Sequence, residues 1–408
     1  MGSRDHPEQP GSQRHTGDRT RMGGVGLRMR TAMAAVLVLL AACGGGGSGD
    51  DAAPTGEWQE MSPAPISGRS PTARAWTGQE MLVWGGGSCK ANPCQFDNVE
   101  PLADGAAYNP STDAWRTIAP SPLSARTGTA SEWTGKELLV WGGGVGTSQV
   151  FADGAAYNPA TDSWRTLAPS PLSGRRTGGV WTGKELVIWG GRDIVSNEFF
   201  ADGAAYDPAA DRWRLLPPAP LSAREMRSGR TWTGKEVVLW GGGTAGDAYA
   251  DGAAYDPAAD RWRTLAPSPL AARFAAAVWT DKEVVFWGGE DWRQVFGDGA
   301  AYDPAADRWR PLPDSPLAAR ISAAELWTGT EALFWGGSNG TYNNYMADGA
   351  AYSPSTDRWR RLPAWSGRIA DSVWTGREMI VWGGIVPVAG GSQLAEIKST
   401  NEGRRYVP

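Results

Sequence analysis

Seven charged residues are candidates for acid–base or binding chemistry, because each interrupts a short segment that is otherwise small and apolar in the copies of a recurring unit. They are Arg74, Glu132, Glu225, Arg227, Arg230, Glu325 and Asp371. A carboxyl group whose pKa is shifted toward neutrality can donate and accept protons, and a nearby arginine can hold an anion. The alternative is that these side chains are solvated and have no chemical role. A pocket that contains several of them favours the first interpretation.

Histidine chemistry is excluded from the mature protein. The chain has only two histidines, His6 and His15, and both precede the predicted export cleavage site. A Ser-His-Asp triad, a histidine-ligated zinc or copper site and a histidine general base all need this side chain. We therefore expect neither a metal nor another cofactor.

The N-terminal region predicts export and lipid attachment. Residues 1–28 are polar and without pattern, so they are either a misassigned start or a long leader. Residues 29–43 have a basic start, a short apolar stretch and a final Leu-Ala-Ala-Cys, which resembles the signal peptide of a bacterial lipoprotein. The resemblance implies lipidation of Cys43 and an extracytoplasmic protein anchored to the cell membrane. A plain signal peptide with a chance cysteine is the alternative.

The rest of the chain divides into a tether and a folded domain. Residues 44–56 are rich in Gly, Ser and Asp and predict a flexible tether, and residues 57–408 form the domain. The chain carries a net charge of −5 and the domain has no basic stripe, so nucleic acid is not an expected partner. Cys89 and Cys94 predict a disulfide, as is usual in exported proteins; metal binding by the two thiols is the alternative.

Four marks recur along residues 57–408. Trp-Gly-Gly and Trp-Thr-Gly (or a variant) each occur seven times, and Asp-Gly-Ala-Ala-Tyr occurs six times with a seventh, degenerate copy at residues 402–406. A Trp-Arg pair follows six of these units, and its missing seventh copy stands at the other end of the chain as Trp58-Gln59. The displaced copy predicts that the N-terminal strand completes the last unit and closes a ring.

This pattern resembles the kelch-repeat β-propeller family, to which the central domain of galactose oxidase is similar. The resemblance rests on the glycine doublet after an apolar strand, the Tyr and Trp further on, and an Arg before the first strand. It covers residues 57–408 and implies an all-β fold of seven four-stranded antiparallel blades. The copper site of galactose oxidase needs histidine ligands, so that activity does not carry over.

Most of the aromatic residues have a structural explanation. Of the 23 tryptophans, all but Trp292 and Trp365 belong to the repeated marks, which favours core packing over stacking on sugars. The aspartate of each Asp-Gly-Ala-Ala-Tyr also recurs once per unit, as a structural hydrogen-bonding residue does. A catalytic or metal site would break that symmetry.

One face of the propeller is the predicted binding face. It carries the irregular loops 88–103, 145–152, 192–201, 244–250, 290–297, 338–347 and 385–401, and such insertions usually carry function in repeat proteins. On the same face one arginine precedes each innermost strand, and these arginines either hold backbone carbonyls or contact an acidic ligand. They are Arg69, Arg126, Arg175, Arg224, Arg273, Arg320 and Arg368. The predicted loop contacts are Trp292, Tyr342 and Tyr345.

The sequence favours a non-catalytic binding or interaction scaffold at the cell envelope, which recognises a protein, peptide or glycan through this face. The alternative is a carbohydrate-active enzyme that uses carboxylates and arginines, such as a sugar mutarotase or a lyase. Kelch propellers that resemble sugar mutarotases are the precedent for this alternative. A purely structural envelope protein is the third possibility, and no sequence feature points to it.

Overall fold

Every regular element of the described chain is a β-strand. The computed structural model describes residues 54–89, 99–340, 344–387 and 397–408, and these residues contain no helix. None of them therefore belongs to a helix that could cross a membrane. The leader, the signal segment, Cys43 and residues 44–53 of the predicted tether lie outside the described residues, so the predictions made for them stay predictions.

Seven antiparallel sheets of four or five strands are the blades of a β-propeller, which confirms the predicted fold, and three two-stranded pairs accompany them. The first strand, β1 (Glu57–Glu60), belongs to the last blade. The strands of blades 1 to 3 are β2 (Ala73–Trp76), β3 (Met81–Trp84), β4 (Gly87–Cys89), β5 (Val99–Pro101), β6 (Gly105–Asn109) and β7 (Ala114–Thr117); β8 (Ala130–Trp133), β9 (Leu138–Trp141), β10 (Gly144–Val145), β11 (Gln149–Val150), β12 (Gly154–Asn158) and β13 (Ser163–Thr166); and β14 (Gly179–Trp181), β15 (Leu186–Trp189), β16 (Arg192–Asp193), β17 (Glu198–Phe199), β18 (Gly203–Asp207) and β19 (Arg212–Leu215). The strands of blades 4 to 7 are β20 (Arg230–Trp232), β21 (Val237–Trp240), β22 (Gly252–Asp256) and β23 (Arg261–Thr264); β24 (Phe274–Trp279), β25 (Val284–Glu290), β26 (Gly299–Asp303) and β27 (Arg308–Pro311); β28 (Ala324–Trp327), β29 (Ala332–Trp335), β30 (Gly349–Ser353) and β31 (Arg358–Leu362); and β32 (Ile369–Trp374), β33 (Met379–Pro387), β34 (Ile397–Ser399) and β35 (Gly403–Val407).

Each blade is a four-stranded meander whose first strand lies nearest the centre of the ring. In blade 2 the order is β8, β9, β12 and β13, and Tyr157 pairs with Leu138 on one side and Trp164 on the other. The second strand is a short, fully buried apolar run, as in Leu138–Trp141, because neighbouring blades cover both of its faces. The short pairs β4–β5, β10–β11 and β16–β17 lie in the loops between second and third strands.

Two turns in each blade follow from local residue chemistry. In blade 2, Gly135 has φ +91°, which a glycine adopts without strain, and the Thr134 Oγ1 accepts the N–H of Glu137 at 2.9 Å. In the outer turn Asp162 has φ +45°, which aspartate tolerates better than most residues, and its carboxylate accepts the Tyr157 hydroxyl at 2.6 Å. The repeated sequence marks are therefore mostly turn and core determinants.

The connections place two kinds of segment on one side of the ring. In the loop of blade 1 the Gly86 N–H donates to the carbonyl of Arg126, and the Arg126 N–H donates to the carbonyl of Leu102. The loops between second and third strands thus lie beside the segments that lead into the next innermost strand. We call this side the loop face and the side with the Thr-Gly turns the turn face.

Tryptophans join neighbouring blades. The Trp of each Trp-Gly-Gly is at most 4% exposed, and at roughly 200 Å² per ring such burial contributes on the order of 5 kcal/mol. The outer-strand Trp of the next blade packs on it, as Trp213 does on Trp141 with ring centroids 5.7 Å apart. The Trp213 Nε1 also donates to the Ala168 carbonyl at 2.9 Å. Packing between blades therefore accounts for these tryptophans.

The N-terminal strand closes the ring, as the displaced Trp58 predicts. Strand β1 pairs with β35, with Trp58 opposite Tyr406. The Gly384 N–H of blade 7 donates to the Arg69 carbonyl before blade 1, so the last blade also joins the first. The end of the predicted tether takes part as well, because the Tyr406 hydroxyl donates to the Thr55 carbonyl at 2.9 Å.

Candidate functional site

A pocket of about 600 Å³ lies among the innermost strands at the centre of the ring. Its charged lining residues are Arg74, Glu132, Arg227, Arg230, Glu325 and Asp371. Six of the seven charged candidates from the sequence therefore meet in one pocket. The seventh, Glu225, does not line it and instead forms a backbone bridge with Gly243.

The pocket extends along the innermost strands. These strands run from the loop face to the turn face, so Ser70 and Ser322, which precede β2 and β28, lie at the loop-face end. Trp181 and Trp232, the last residues of β14 and β20, lie toward the turn face and are partly exposed. A ligand on the loop face thus has access to the charged residues below it.

Arg74 is held by blade 7. Its guanidinium lies 2.7 Å from the Asp371 carboxylate, and its Nε donates to the Ser372 carbonyl at 3.3 Å. Both side chains of this ion pair stay partly exposed to the pocket. The pair contributes a fixed, nearly neutral wall to the pocket.

Arg230 is held by backbone. Its donors reach three carbonyl oxygens, those of Gly179, Met226 and Arg227. A Cβ atom at Gly178 would collide with the guanidinium. The glycine pair in blade 3 therefore makes the space that Arg230 occupies, a relation that the sequence analysis missed although Gly178-Gly179 stands where blades 1 and 2 have Ala73-Arg74 and Ala130-Ser131.

Two carboxyl groups of the pocket have strongly shifted pKa values. Burial raises the pKa of Glu132 to about 7, against the opposing effects of Arg230 and Arg74. Burial also raises the pKa of Glu325 to about 7, again against both arginines. Desolvation thus outweighs the attraction of the arginines, which lie too far away for direct pairing. Both carboxyl groups can change protonation near neutral pH.

The arginines that precede the innermost strands are buried away from this pocket. In blade 2 the Arg126 guanidinium lies 2.7 Å from Asp153, donates to the Gly142 carbonyl at 3.1 Å, and stacks on Phe151 at 4.0 Å. The side chains are at most 1% exposed in all seven arginines, which are Arg69, Arg126, Arg175, Arg224, Arg273, Arg320 and Arg368.

The predicted contact of these arginines with an acidic ligand does not fit this placement, and the structural alternative does. The partner in six blades is the aspartate of Asp-Gly-Ala-Ala-Tyr, and in blade 7 the Glu402 carboxylate lies 3.9 Å from Arg368. The hydrogen bond from Arg69 holds the pKa of Asp104 below its usual value. The aspartates therefore act structurally, because they neutralise guanidiniums that packing has removed from water.

Comparison with known proteins agrees with this architecture. The model of the KLHDC2/KLHL20/DRC7 Kelch-repeats domain matches residues 179–391, just over half of the chain. The chain belongs to the kelch-repeat family. A kelch propeller is consistent with a protein-interaction scaffold.

One solved structure with a similar fold is that of YjhT. It aligns with a TM-score of 0.54 and 16% sequence identity, over 74% of this chain and 99% of that one. At this identity the likeness concerns the fold alone. No curated protein matches the chain in sequence.

Trp292 lies on the loop face of the kelch propeller, beside the pocket. The residue is 40% exposed, its Nε1 donates to the Thr244 carbonyl, and the Arg227 guanidinium lies 4.5 Å from the ring centroid. Its φ of +73° is unusual for a bulky residue. Arg227 also pairs with Glu290 at 2.9 Å and lines the pocket. Trp292 therefore packs against Arg227, a residue that lines the pocket, and its exposed surface is available for contact with a ligand.

The other predicted contacts are less accessible or lie outside the described residues. Tyr345 is partly buried beside Ser338, and burial raises the pKa of its hydroxyl. Tyr342 and Cys94 lie outside the described residues. Cys89 ends β4 and is disulfide-bonded, but because Cys94 lies outside the described residues its pairing with Cys94 stays a prediction. Within the parts of the kelch propeller that the structure describes, no group of three or more His, Cys, Asp and Glu side chains could hold a metal ion.

Proposed function

We propose that this protein is a non-catalytic binding scaffold of the cell envelope, which recognises a protein, peptide or glycan through its loop face. The observation that carries the proposal is the pocket at the centre of the ring. The charged residues that break the repeat line this pocket. The arginines and aspartates that recur in the blades instead form structural ion pairs, as Arg126 does with Asp153. A symmetrical framework with one asymmetric polar pocket is what a recognition module needs.

The binding proposal is tested with purified protein as bait on a glycan array and against envelope proteins. The test variant is Glu132→Gln/Glu325→Gln, and the control is Glu57→Gln, an exposed residue of the outer strand β1 away from the predicted binding loops. We expect the double variant to lose the captured ligand and the control to retain it. A ligand that binds all three proteins equally would contradict recognition through the pocket.

The envelope location is supported by the sequence of residues 29–43. We expect Cys43→Ser to release the protein from the membrane fraction or to leave its signal segment uncleaved. The control is the double variant Cys89→Ser/Cys94→Ser, which removes the predicted disulfide without leaving an unpaired thiol and keeps Cys43, and its fractionation should not change. Normal processing and membrane fractionation of Cys43→Ser would contradict lipid attachment at this residue.

A carbohydrate-active enzyme, such as a sugar mutarotase or lyase, is the second candidate. It is favoured by one observation, the two carboxyl groups with pKa values of about 7 in a pocket that also holds Arg74 and Arg230. Carboxyl groups with such values can transfer protons at neutral pH. Nuclear magnetic resonance of freshly dissolved reducing sugars would detect faster mutarotation, and Glu132→Gln and Glu325→Gln should abolish it. Rates equal to those in buffer for every sugar would exclude mutarotation of these sugars.

A further inference from the structure

Glu132 and Glu325 are the carboxyl groups of the pocket that lack an ion-pair partner among the described residues. Neither forms an ion pair with a Lys or Arg among the described residues. Glu132 also accepts no hydrogen bond from the described part of the chain, whereas Ser228 donates to Glu325. Protein surrounds both carboxyl groups, yet both side chains keep some exposure to the pocket space. Such unpaired carboxylates are costly unless a partner arrives.

The arginines of the pocket are already engaged. Arg74 pairs with Asp371, Arg227 pairs with Glu290, and Arg230 donates to backbone carbonyls. The seven arginines for which the sequence left open contact with an acidic ligand are buried in pairs of their own. Backbone carbonyls leave the charge of Arg230 in place, so with both glutamates ionised the pocket keeps two unpaired negative charges against one positive charge, a net negative charge.

We propose that the central pocket binds an organic cation, an ammonium or guanidinium group, with Glu132 and Glu325 as its counter-charges. The proposal rests on the proposed function, because it names the ligand chemistry of the same pocket. The cation is carried either by a small amine or by a basic side chain of a peptide. Trp181 and Trp232, which line the same pocket, offer aromatic surface that attracts cations.

The protonation of the two glutamates supports this choice of charge. Burial raises both pKa values to about 7, and a bound cation favours the ionised form and lowers them again. Binding at pH 7 should therefore release protons, and affinity should fall as the pH falls below 7. A neutral or anionic ligand gives no such proton release.

The experiment is calorimetric titration of the purified protein at pH 7 with probes that differ in charge. N-acetyl-arginine amide and N-acetyl-lysine amide represent a peptide side chain, and agmatine represents a free amine. N-acetyl-glutamine amide and N-acetyl-glutamate amide are the neutral and anionic controls. We expect at least one cationic probe to bind about 10-fold or more tightly than the neutral probe, as charge-assisted hydrogen bonds imply. Titration in two buffers of different ionisation enthalpy measures proton release.

Variants assign the binding to the two carboxylates. Glu132→Gln and Glu325→Gln keep the side-chain shape and should each weaken the cationic probe about 10-fold or more, while Glu57→Gln in the outer strand β1 should not. Thermal melting checks that each variant is folded, and the two positions are independent tests. The proposal of a cationic ligand is refuted if the anionic probe binds more tightly than the cationic probes, or if the neutral probe binds equally well. It is also refuted if no probe binds, or if both variants bind the cationic probe with unchanged affinity.

The outcomes separate this inference from the proposed function. If a neutral or anionic ligand binds and Glu132→Gln weakens it, the pocket remains the recognition site and only the cation is wrong. If no probe binds and the double variant also retains its envelope ligand, both proposals are wrong.

Discussion

Replacing Trp58 with alanine should open the propeller ring at its closure. The Trp58 ring lies 5.1 Å from Trp335, 5.3 Å from Trp365 and 5.4 Å from Tyr406, and its Nε1 donates to the Pro363 carbonyl at 2.8 Å. Loss of roughly 120 Å² of buried ring costs about 3 kcal/mol, and loss of the hydrogen bond costs about 1 kcal/mol. We therefore expect a destabilisation of about 4 kcal/mol.

A matched control separates closure from simple loss of packing. Trp213 has the same repeat position inside the ring, with its ring 5.0 Å from Tyr206 and its Nε1 2.9 Å from the Ala168 carbonyl. Trp213→Ala should cost a similar free energy of unfolding. Strand β19 lies between two propeller strands in sequence, β18 and β20, whereas β1 is followed by β2 and is the first strand of the described residues, so β1 should detach more readily.

The assay combines urea denaturation with hydrogen exchange measured by mass spectrometry. In Trp58→Ala the amides of β35 should exchange much faster under native conditions, because β35 loses its outer neighbour. In Trp213→Ala the amides of β18 should stay protected. Equal protection of β35 and β18 in the two variants, or an unchanged denaturation midpoint for Trp58→Ala, would refute closure by the N-terminal strand.

Two further predictions concern buried charge. Asp153→Ala leaves the Arg126 guanidinium buried without its carboxylate and should lower the free energy of unfolding by about 3 kcal/mol, whereas Asp247→Ala in an exposed loop should change it little; equal midpoints for both variants in urea would contradict the structural role of the pair. Glu132 has a folded-state pKa of about 7 against an ordinary value of 4.5, so its ionisation costs stability as the pH rises from about 4.5 to 7. Glu132→Gln should therefore be more stable than the natural protein at pH 8 but not at pH 4, and a pH-independent difference in melting temperature would show that the carboxyl group is not desolvated.

Local sequence determined the architecture of this protein. Each strand is bounded by residues that fix its turns without help from distant contacts, such as Gly135 and the Tyr157–Asp162 pair. Because the unit recurs seven times, a strand or turn that is ambiguous in one copy can be assigned from the other copies. The position of Trp58 even indicated how the ring closes, since pairing an edge strand is a requirement that the chain must meet somewhere.

Tertiary structure alone decided which charges remain available. Arg126 and Arg230 are both arginines near the start of an innermost strand, yet one is sealed against Asp153 and the other lies over glycines at the wall of the pocket. The sequence indicated that Glu132 and Glu325 break the repeat, but not that they share a pocket, because residues on blades 2 and 6 meet only when the ring closes. Their raised pKa values depend on that enclosure. Desolvation and pairing arise from distances between remote parts of the chain, so only the folded structure shows that Arg126 is paired while Glu132 and Glu325 have no ion pair among the described residues.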